Sequence, residues 1–222
     1  MILVYSLGGS ILYERTPDEL KKFAGCLMEL AEDHQIFVVV GGGKIAREYI
    51  GKARALAAGE AFCDLLGIGA TKMNAMLLIA ALGRAAAPEP AESYAQALSA
   101  SAGGKIVVLG GMAPGQTTDA VAALLAEYVG ADRLIVATSV DGVYTADPEV
   151  DAGATKYTKM THRELVSLSM ETTLSAGSRS PVDPLAAKIL ERSRIPAAVV
   201  YGGEVENLKR GAEGGHSGTE IS

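Results

Sequence analysis

The sequence predicts an α/β fold, a mostly parallel sheet covered by helices on both faces. Three observations predict it. Short apolar runs recur along the chain, helical spacing fills the gaps between them, and the runs are continuously apolar rather than alternating. Strands that read as unbroken apolar segments are buried on both faces, which is the position of parallel strands between helical layers.

The strand segments are "ILVYSL" (2–7), "IFVVV" (36–40), "KIVVLG" (105–110), "RLIVATSV" (133–140) and "AAVVYG" (197–202). Between the first two, residues 17–34 place apolar side chains three and four apart, so they predict a helix. Thr16 is its N-cap, Pro17 opens the first turn and Glu19 lies within that turn. A second helix is expected over 119–130, started by Thr117, Thr118 and Asp119 and stopped by Gly130. A third is expected over 183–193, and an apolar helical run, "DLLGIGATKMNAMLLIAAL", begins at Asp64. That run packs either internally or across a dimer. Residues 84–104, rich in Ala, Pro and Ser, read as a surface loop with a helix or a seam between two halves. Residues 143–181 are polar and turn-rich, so they are expected to decorate the sheet rather than extend it.

The 222 residues suit one domain, with two small ones as the alternative. A hydrophobic share of 49% supports a sizeable core, and the net charge of −6 argues against a general nucleic-acid or membrane-surface binder. The apolar start is too short for a signal sequence, and no apolar run approaches a membrane span, so a soluble cytoplasmic protein is expected. Cys26 and Cys63 lack metal or redox spacing and are expected to be buried, reduced thiols. His34, His162 and His216 show no metal spacing and are expected at the surface.

Ligands of open parallel sheets bind at the carboxyl ends of the strands. Four such ends carry glycine-rich loops: "SLGGSI" (6–11), Gly41-Gly42-Gly43, "GGMAPGQTTDA" (110–120) and "TSVDGVYTADP" (138–148). A backbone without Cβ can approach a phosphate closely, and a helix starting just beyond adds unpaired N–H groups and its positive end. A site for several phosphates is therefore the leading reading. Gly41-x-Gly43-x-x-Ala46 matches a dinucleotide fingerprint, but it follows the second strand, and Asp64 opens a helical run instead of closing a strand. A Walker loop is absent from the sequence. Lys44 and Arg47 lie one helical turn apart after the triple glycine, where both can face the loop mouth. Lys188 has no face assigned by pattern, Asp119 suits an N-cap or first-turn acid as well as a functional carboxylate, and Asp141 before Gly142 reads as a turn residue. Glycine loops, a few cations and threonines suit phosphoryl transfer, where catalysis is mainly positioning and charge neutralisation.

The segments "LGGSI", "VVVGGGKIAREYI", "DLLGIGATKMNAMLLIAAL", residues 110–148 and "DPLAAKI" together resemble the amino-acid kinase family, and within it the archaeal-type uridylate (UMP) kinases. The resemblance extends to the closing "HSGTEIS". It implies a three-layer αβα sandwich around a mainly parallel sheet, a single domain over 1–222, with acceptor-side residues in roughly 1–118 and donor-side residues in 119–222. It further implies transfer of the γ-phosphoryl of ATP to UMP with Mg²⁺, no protein-held metal, and a homohexamer built from dimers. By position, Gly8, Gly9, Ser10, Gly43 and Arg47 would meet ATP phosphates, and Thr138, Tyr144 and Asp147 its adenosine. Gly42, Asp64, Met112, Ala113, Pro114, Gly115, Gln116, Thr117 and Thr118 would bind UMP, with Asp64 on the ribose. Much of the wider family carries a Lys two positions before the first glycine of the first loop; Ser6 stands there in this chain. Lys44, Arg47 and Lys188 are the candidate replacements, and Asp119 completes the expected catalytic set. Isopentenyl phosphate kinases share this build but carry a histidine after the glycine loop, and residues 44–61 contain none. A nucleotide-binding member without turnover is the other alternative.

Overall fold

Unbroken burial of the apolar runs sets the architecture of this computed structural model, which describes residues 1–146, 148, 150–151, 153–171 and 182–222. In chain order the elements are β1 (Ile2–Leu7), α1 (Gly9–Tyr13), α2 (Pro17–Leu30), β2 (Gln35–Val40), α3 (Gly43–Ala55), α4 (Glu60–Leu82) and α5 (Tyr94–Ser101). There follow β3 (Val107–Leu109), α6 (Thr118–Val129), β4 (Arg133–Thr138), β5 (Lys159–Met160), α7 (His162–Glu171), α8 (Pro184–Ser193), β6 (Ala197–Tyr201), α9 (Glu206–Glu213) and β7 (Thr219–Ile221). The sheet order is β3-β2-β1-β4-β6-β7-β5, and every pairing is parallel except β6 with β7.

Alternate strand residues feed two separate cores. Leu3, Tyr5 and Leu7 pack with Val38, Val40 and Ile135 beneath α1, α2, α4 and α9. Val4, Phe37, Val39 and Val136 pack with residues of α5, α6, α7 and α8 on the other face. Two helical layers around one sheet make the three-layer αβα sandwich. The chain up to residue 118 supplies β3, β2 and β1, and the remainder supplies β4, β6, β7 and β5.

The helix signals act locally as their chemistry requires. Thr16 and Glu19 form a reciprocal capping box ahead of Pro17. Thr117 caps α6 by accepting the Ala120 N–H, and Gly130 ends it with φ 64°. Asp183 caps α8 by accepting the Ala186 N–H at 2.8 Å. Cys26 and Cys63 are buried free thiols.

Three expectations require correction, and the helix expected within 84–104 is present. Residues 143–181 do extend the sheet, because Lys159–Met160 pairs with β7 at its edge. The 84–104 stretch holds α5, and bridges at Ala86–Ile106 and Ala91–Leu109 stitch it to β3 and the residue before it. His162 is buried, with its Nε2 bonded to the Ile195 carbonyl at 2.8 Å, and His216 is enclosed beside Glu220 at 2.8 Å. The stretch Glu60–Ala85 is, by length and composition, apolar enough to cross a membrane. It is packed against α3, α2 and the β2–β3 edge of the sheet instead.

Candidate active site

Backbone hydrogen bonds tie the loops beyond β1, β2, β4 and β6 side by side. The Gly8 N–H donates to the Ala137 carbonyl at 3.0 Å, Gly41 to Leu7 at 2.8 Å, and Gly202 to Thr138 at 2.8 Å. A Cβ on Gly9 would lie 2.3 Å from both the Gly41 oxygen and the Gly43 nitrogen. Gly43 has φ +61°, and a Cβ there would lie 2.6 Å from the Gly9 carbonyl carbon. The first two glycine loops therefore touch backbone to backbone, and a side chain at either point would drive them apart. Gly42, the N-cap of α3, offers no side chain to the first-turn N–H groups. Those donors are free for an anion. Lys44 and Arg47 stand exposed on the same first turns, and neither makes an ion pair or hydrogen bond among the described residues.

α4 supports the other side of this junction with polar residues set in an apolar helix. Asn74 donates to the Gly41 carbonyl at 2.9 Å. Thr71 donates to the Ile68 carbonyl at 2.6 Å and accepts the Gly111 N–H at 2.7 Å. Gly110 is pressed so close that an added Cβ would lie 2.6 Å from the Thr71 hydroxyl. About two turns before Thr71, Asp64 Oδ2 accepts the Gly115 N–H at 2.8 Å, which holds the loop Met112–Thr117 over the helix. Ala113, Pro114 and Gln116 form the turn of that loop, closed by a Gln116 N–H to Ala113 carbonyl bond of 3.3 Å. Thr118 places its hydroxyl 3.4 Å from the position of a Gly41 Cβ, so this loop returns to the glycine junction. Thr71 and Asn74 were not singled out from sequence. Their signal was a short polar interruption, Thr71, Lys72 and Asn74, in a mostly apolar run.

Ser6 and Asp119 meet beneath the junction. Ser6 is 2% exposed, on the α6 face of β1, and its hydroxyl donates to Asp119 Oδ1 at 2.6 Å. Burial pushes the Asp119 carboxyl up to about 6, the Ser6 bond works against that rise, and the nearby Asp183 charge adds to it. Burial also raises Asp183, opposed by N–H groups of Ala186, Leu185 and Ala120. Ser6 therefore meets a carboxylate partner just before the first glycine loop.

On the donor side, Thr138 ends β4, and its carbonyl accepts the Gly202 bond described above. The Tyr144 hydroxyl donates to Asp141 Oδ1, and Lys156 Nζ donates to Asp141 Oδ2 at 2.7 Å and to the Ser217 carbonyl at 2.9 Å. Burial raises the Asp141 carboxyl, but the Lys156 and Tyr144 bonds outweigh it and hold the group below its ordinary value. Asp141 is thus the hub of a small network rather than a plain turn residue. Arg15 reaches from the end of α1 to the Gly202 and Gly203 carbonyls at 2.8 and 2.9 Å, lying over the Phe23 ring. Neither Arg15 nor Lys156 stood out in the sequence, since each acts on backbone distant along the chain. Asp147 lies outside the described residues.

Lys188 does not join the others. It projects from the exposed side of α8, pairs with Glu191 at 3.0 Å and lines a cavity of about 540 Å³ with Thr161, His162, Arg163, Glu191, Arg194 and Ser222. That cavity adjoins the end of β7, where Ile221 pairs with Ala197, the first residue of β6. It therefore lies at the amino ends of the parallel strands, across the sheet from the glycine loops. The buried face of α8, with Ala186, Ala187, Ile189 and Leu190, turns Lys188 outward.

Residues 1–201 match the amino acid kinase family. The chain is 57% identical over 221 residues to the uridylate kinase of Methanothrix thermoacetophila, covering 100% of this chain and 99% of the relative. It superimposes on the crystal structure of uridylate kinase from Archaeoglobus fulgidus with a TM-score of 0.89 at 46% identity, covering 100% of both chains. UMP kinase from Bacillus anthracis gives a TM-score of 0.82 at 23% identity, covering 100% of this chain and 95% of the other, a likeness of fold.

Proposed function

The chain belongs to the amino acid kinase family, and from that premise we propose that it is a uridylate kinase, a phosphotransferase that moves the γ-phosphoryl of ATP to UMP and releases UDP and ADP. The observation that carries the proposal is the backbone contact between the first two glycine loops, with the Asp64-tethered loop on one side and the Asp141 network on the other. Phosphate-bearing substrates meeting there would face the start of α3, which has no side-chain cap.

An acceptor phosphate is ionised near neutral pH, so the transfer needs no general base. The barrier is the approach of two anions, which oriented N–H groups and fixed cations lower. We assign Gly8, Gly9, Ser10, Gly43 and Arg47 to the ATP phosphates, with Lys44 as a second cation, and Thr138, Tyr144 and Asp147 to the adenosine side. Gly42, Asp64 and Met112–Thr118 are assigned to UMP. Asp64 spends Oδ2 on Gly115 and keeps Oδ1 for a ribose hydroxyl. Asp119 supplies a fixed negative charge that orders the cations of the site. The acceptor side falls within residues 1–118 and the donor side within 119–222, a division supported by the split of the sheet between β1 and β4. Lys188, outward on α8, has no part in this assignment.

Mg²⁺ would arrive on the ATP phosphates. Among the described residues no group of three or more His, Cys, Asp and Glu side chains is placed to hold a metal ion, and the close-packed Gly9–Gly43 cradle suits a phosphate that brings its own ion. When bound, the ion would supply positive charge that offsets the charge of the phosphates.

Exposed Phe62, Leu65, Met73 and Met76 on α4 form an apolar face that supports a homo-oligomer, proposed as a hexamer of three dimers in the cytoplasm. Initial rates with ATP, Mg²⁺ and UMP, CMP, AMP or isopentenyl phosphate test the substrate assignment. Turnover best with UMP supports it, and a better acceptor overturns it.

A further inference from the structure

Ser6 is a polar residue at a point where packing alone asks for an apolar one. On β1 it pairs laterally with Val39 and Val136, and Val4 precedes it on the same face. A hydroxyl buried there without a partner would be destabilising. Its partner is the Asp119 carboxylate at 2.6 Å, in the first turn of α6. Two residues beyond Ser6, Gly8 opens the first glycine loop, and the residue before Asp119, Thr118, reaches Gly41 in the second. The Ser6–Asp119 bond therefore ties the central strand to α6 directly under the junction assigned to the phosphates.

We infer that Ser6 is a positioning residue for phosphoryl transfer: its hydroxyl holds the Asp119 carboxylate charged and turned toward the glycine junction. The inference rests on the kinase reading above. Two groups bear on Asp119. Ser6 donates from β1, and Asp183 adds a like charge from the N-cap of α8. Of these the hydroxyl of Ser6 is the side-chain donor that favours the ionised carboxylate, while burial and Asp183 both oppose ionisation. A hydroxyl can do this without bringing a positive charge of its own into the site, so the cations that meet the phosphates are left to Lys44, Arg47 and the nucleotide's ion.

The test compares full-length Ser6→Ala and Ser6→Thr with the unchanged enzyme, following kcat/KM for UMP from pH 5.5 to 9. This ratio reports groups of the free enzyme. Ser6→Ala should move the acidic limb upward by about one pH unit, the scale of a lost bond to a charged group. It should then be several-fold slower near pH 6 and within about twofold of the unchanged enzyme by pH 9. Ser6→Thr, which keeps the hydroxyl, should follow the unchanged enzyme. Carboxyl ¹³C titration of aspartate-labelled protein, with Asp119→Asn to assign the signal, supplies a readout independent of turnover and should show the same upward move in Ser6→Ala. An unmoved Asp119 midpoint, or a loss of equal size at every pH, overturns the inference. Loss of UDP formation in the unchanged enzyme would instead strike the kinase reading, with the titration still reporting on Ser6 and Asp119.

Discussion

Asp119→Asn should make the protein more stable and less active. The carboxyl rises from 3.8 to about 6 chiefly because it is withdrawn from water. A rise of that size corresponds to about 3 kcal/mol of native-state penalty when the group is ionised. The sign follows from proton counting. Between the unfolded and folded values the native state holds the proton more tightly, so the Asp119 penalty is absent below about pH 4 and reaches its full size as pH rises through about 6. Asparagine keeps the shape and can still accept the Ser6 hydroxyl, but carries no charge to bury. Allowing for the cost of a buried amide, the variant should gain about 2 kcal/mol at pH 7.5, or roughly 4–8 °C in Tm for a chain of this size. Urea unfolding at pH 7.5 and at pH 4 is the assay, and the gain should shrink to near zero at the lower pH. Turnover should fall by on the order of a hundredfold, the scale of one key electrostatic group. A variant no more stable than the unchanged protein at pH 7.5 would refute the reasoning, because burial would then not outweigh the Ser6 bond to the charged carboxylate.

Three further substitutions probe the assigned site. Gly9→Ala places a methyl 2.3 Å from Gly41 and Gly43 backbone atoms; kcat should fall by at least roughly a hundredfold, as measured by UDP formation in a protein that still unfolds cooperatively. Arg47→Ala should lose about 2–4 kcal/mol of transition-state stabilisation, read from kcat/KM, with little change in Tm because the side chain is exposed and unpaired among the described residues. Asp64→Asn keeps an acceptor for the Gly115 N–H but removes the charge; calorimetric titration should show UMP binding weakened by about 1–2 kcal/mol and ATP binding unchanged.

The parts of the fold that were legible in the sequence share a physical property: they are stated by local chemistry. β1, β2 and β4 are continuous apolar runs, α2 carries its own capping box, and α6 is bracketed by Thr117 and Gly130. The edges were not legible. β5 has two residues and β7 three, too short for any periodicity, and they exist because each pairs with the other or with β6. In the site, glycines advertised the loops, since close approach demands them at Gly9 and Gly43. The side chains that brace those loops were silent. Asn74 and Thr71 act across more than thirty residues of sequence, and Arg15 across nearly two hundred. Lys188 misled for the complementary reason, because a cation on an amphipathic helix has a face only once the helix is docked. Ser6 looked like a missing lysine; the structure gives it a partner instead.

The central claim is that one site joins the two substrates and passes a phosphoryl group between them. ³¹P NMR of the protein with ATP, Mg²⁺ and UMP tests it most directly. The account predicts that ATP signals decline as those of ADP and UDP grow in equal amounts. Binding of both nucleotides with the spectrum unchanged, or conversion of ATP to ADP and free phosphate without UDP, would contradict it.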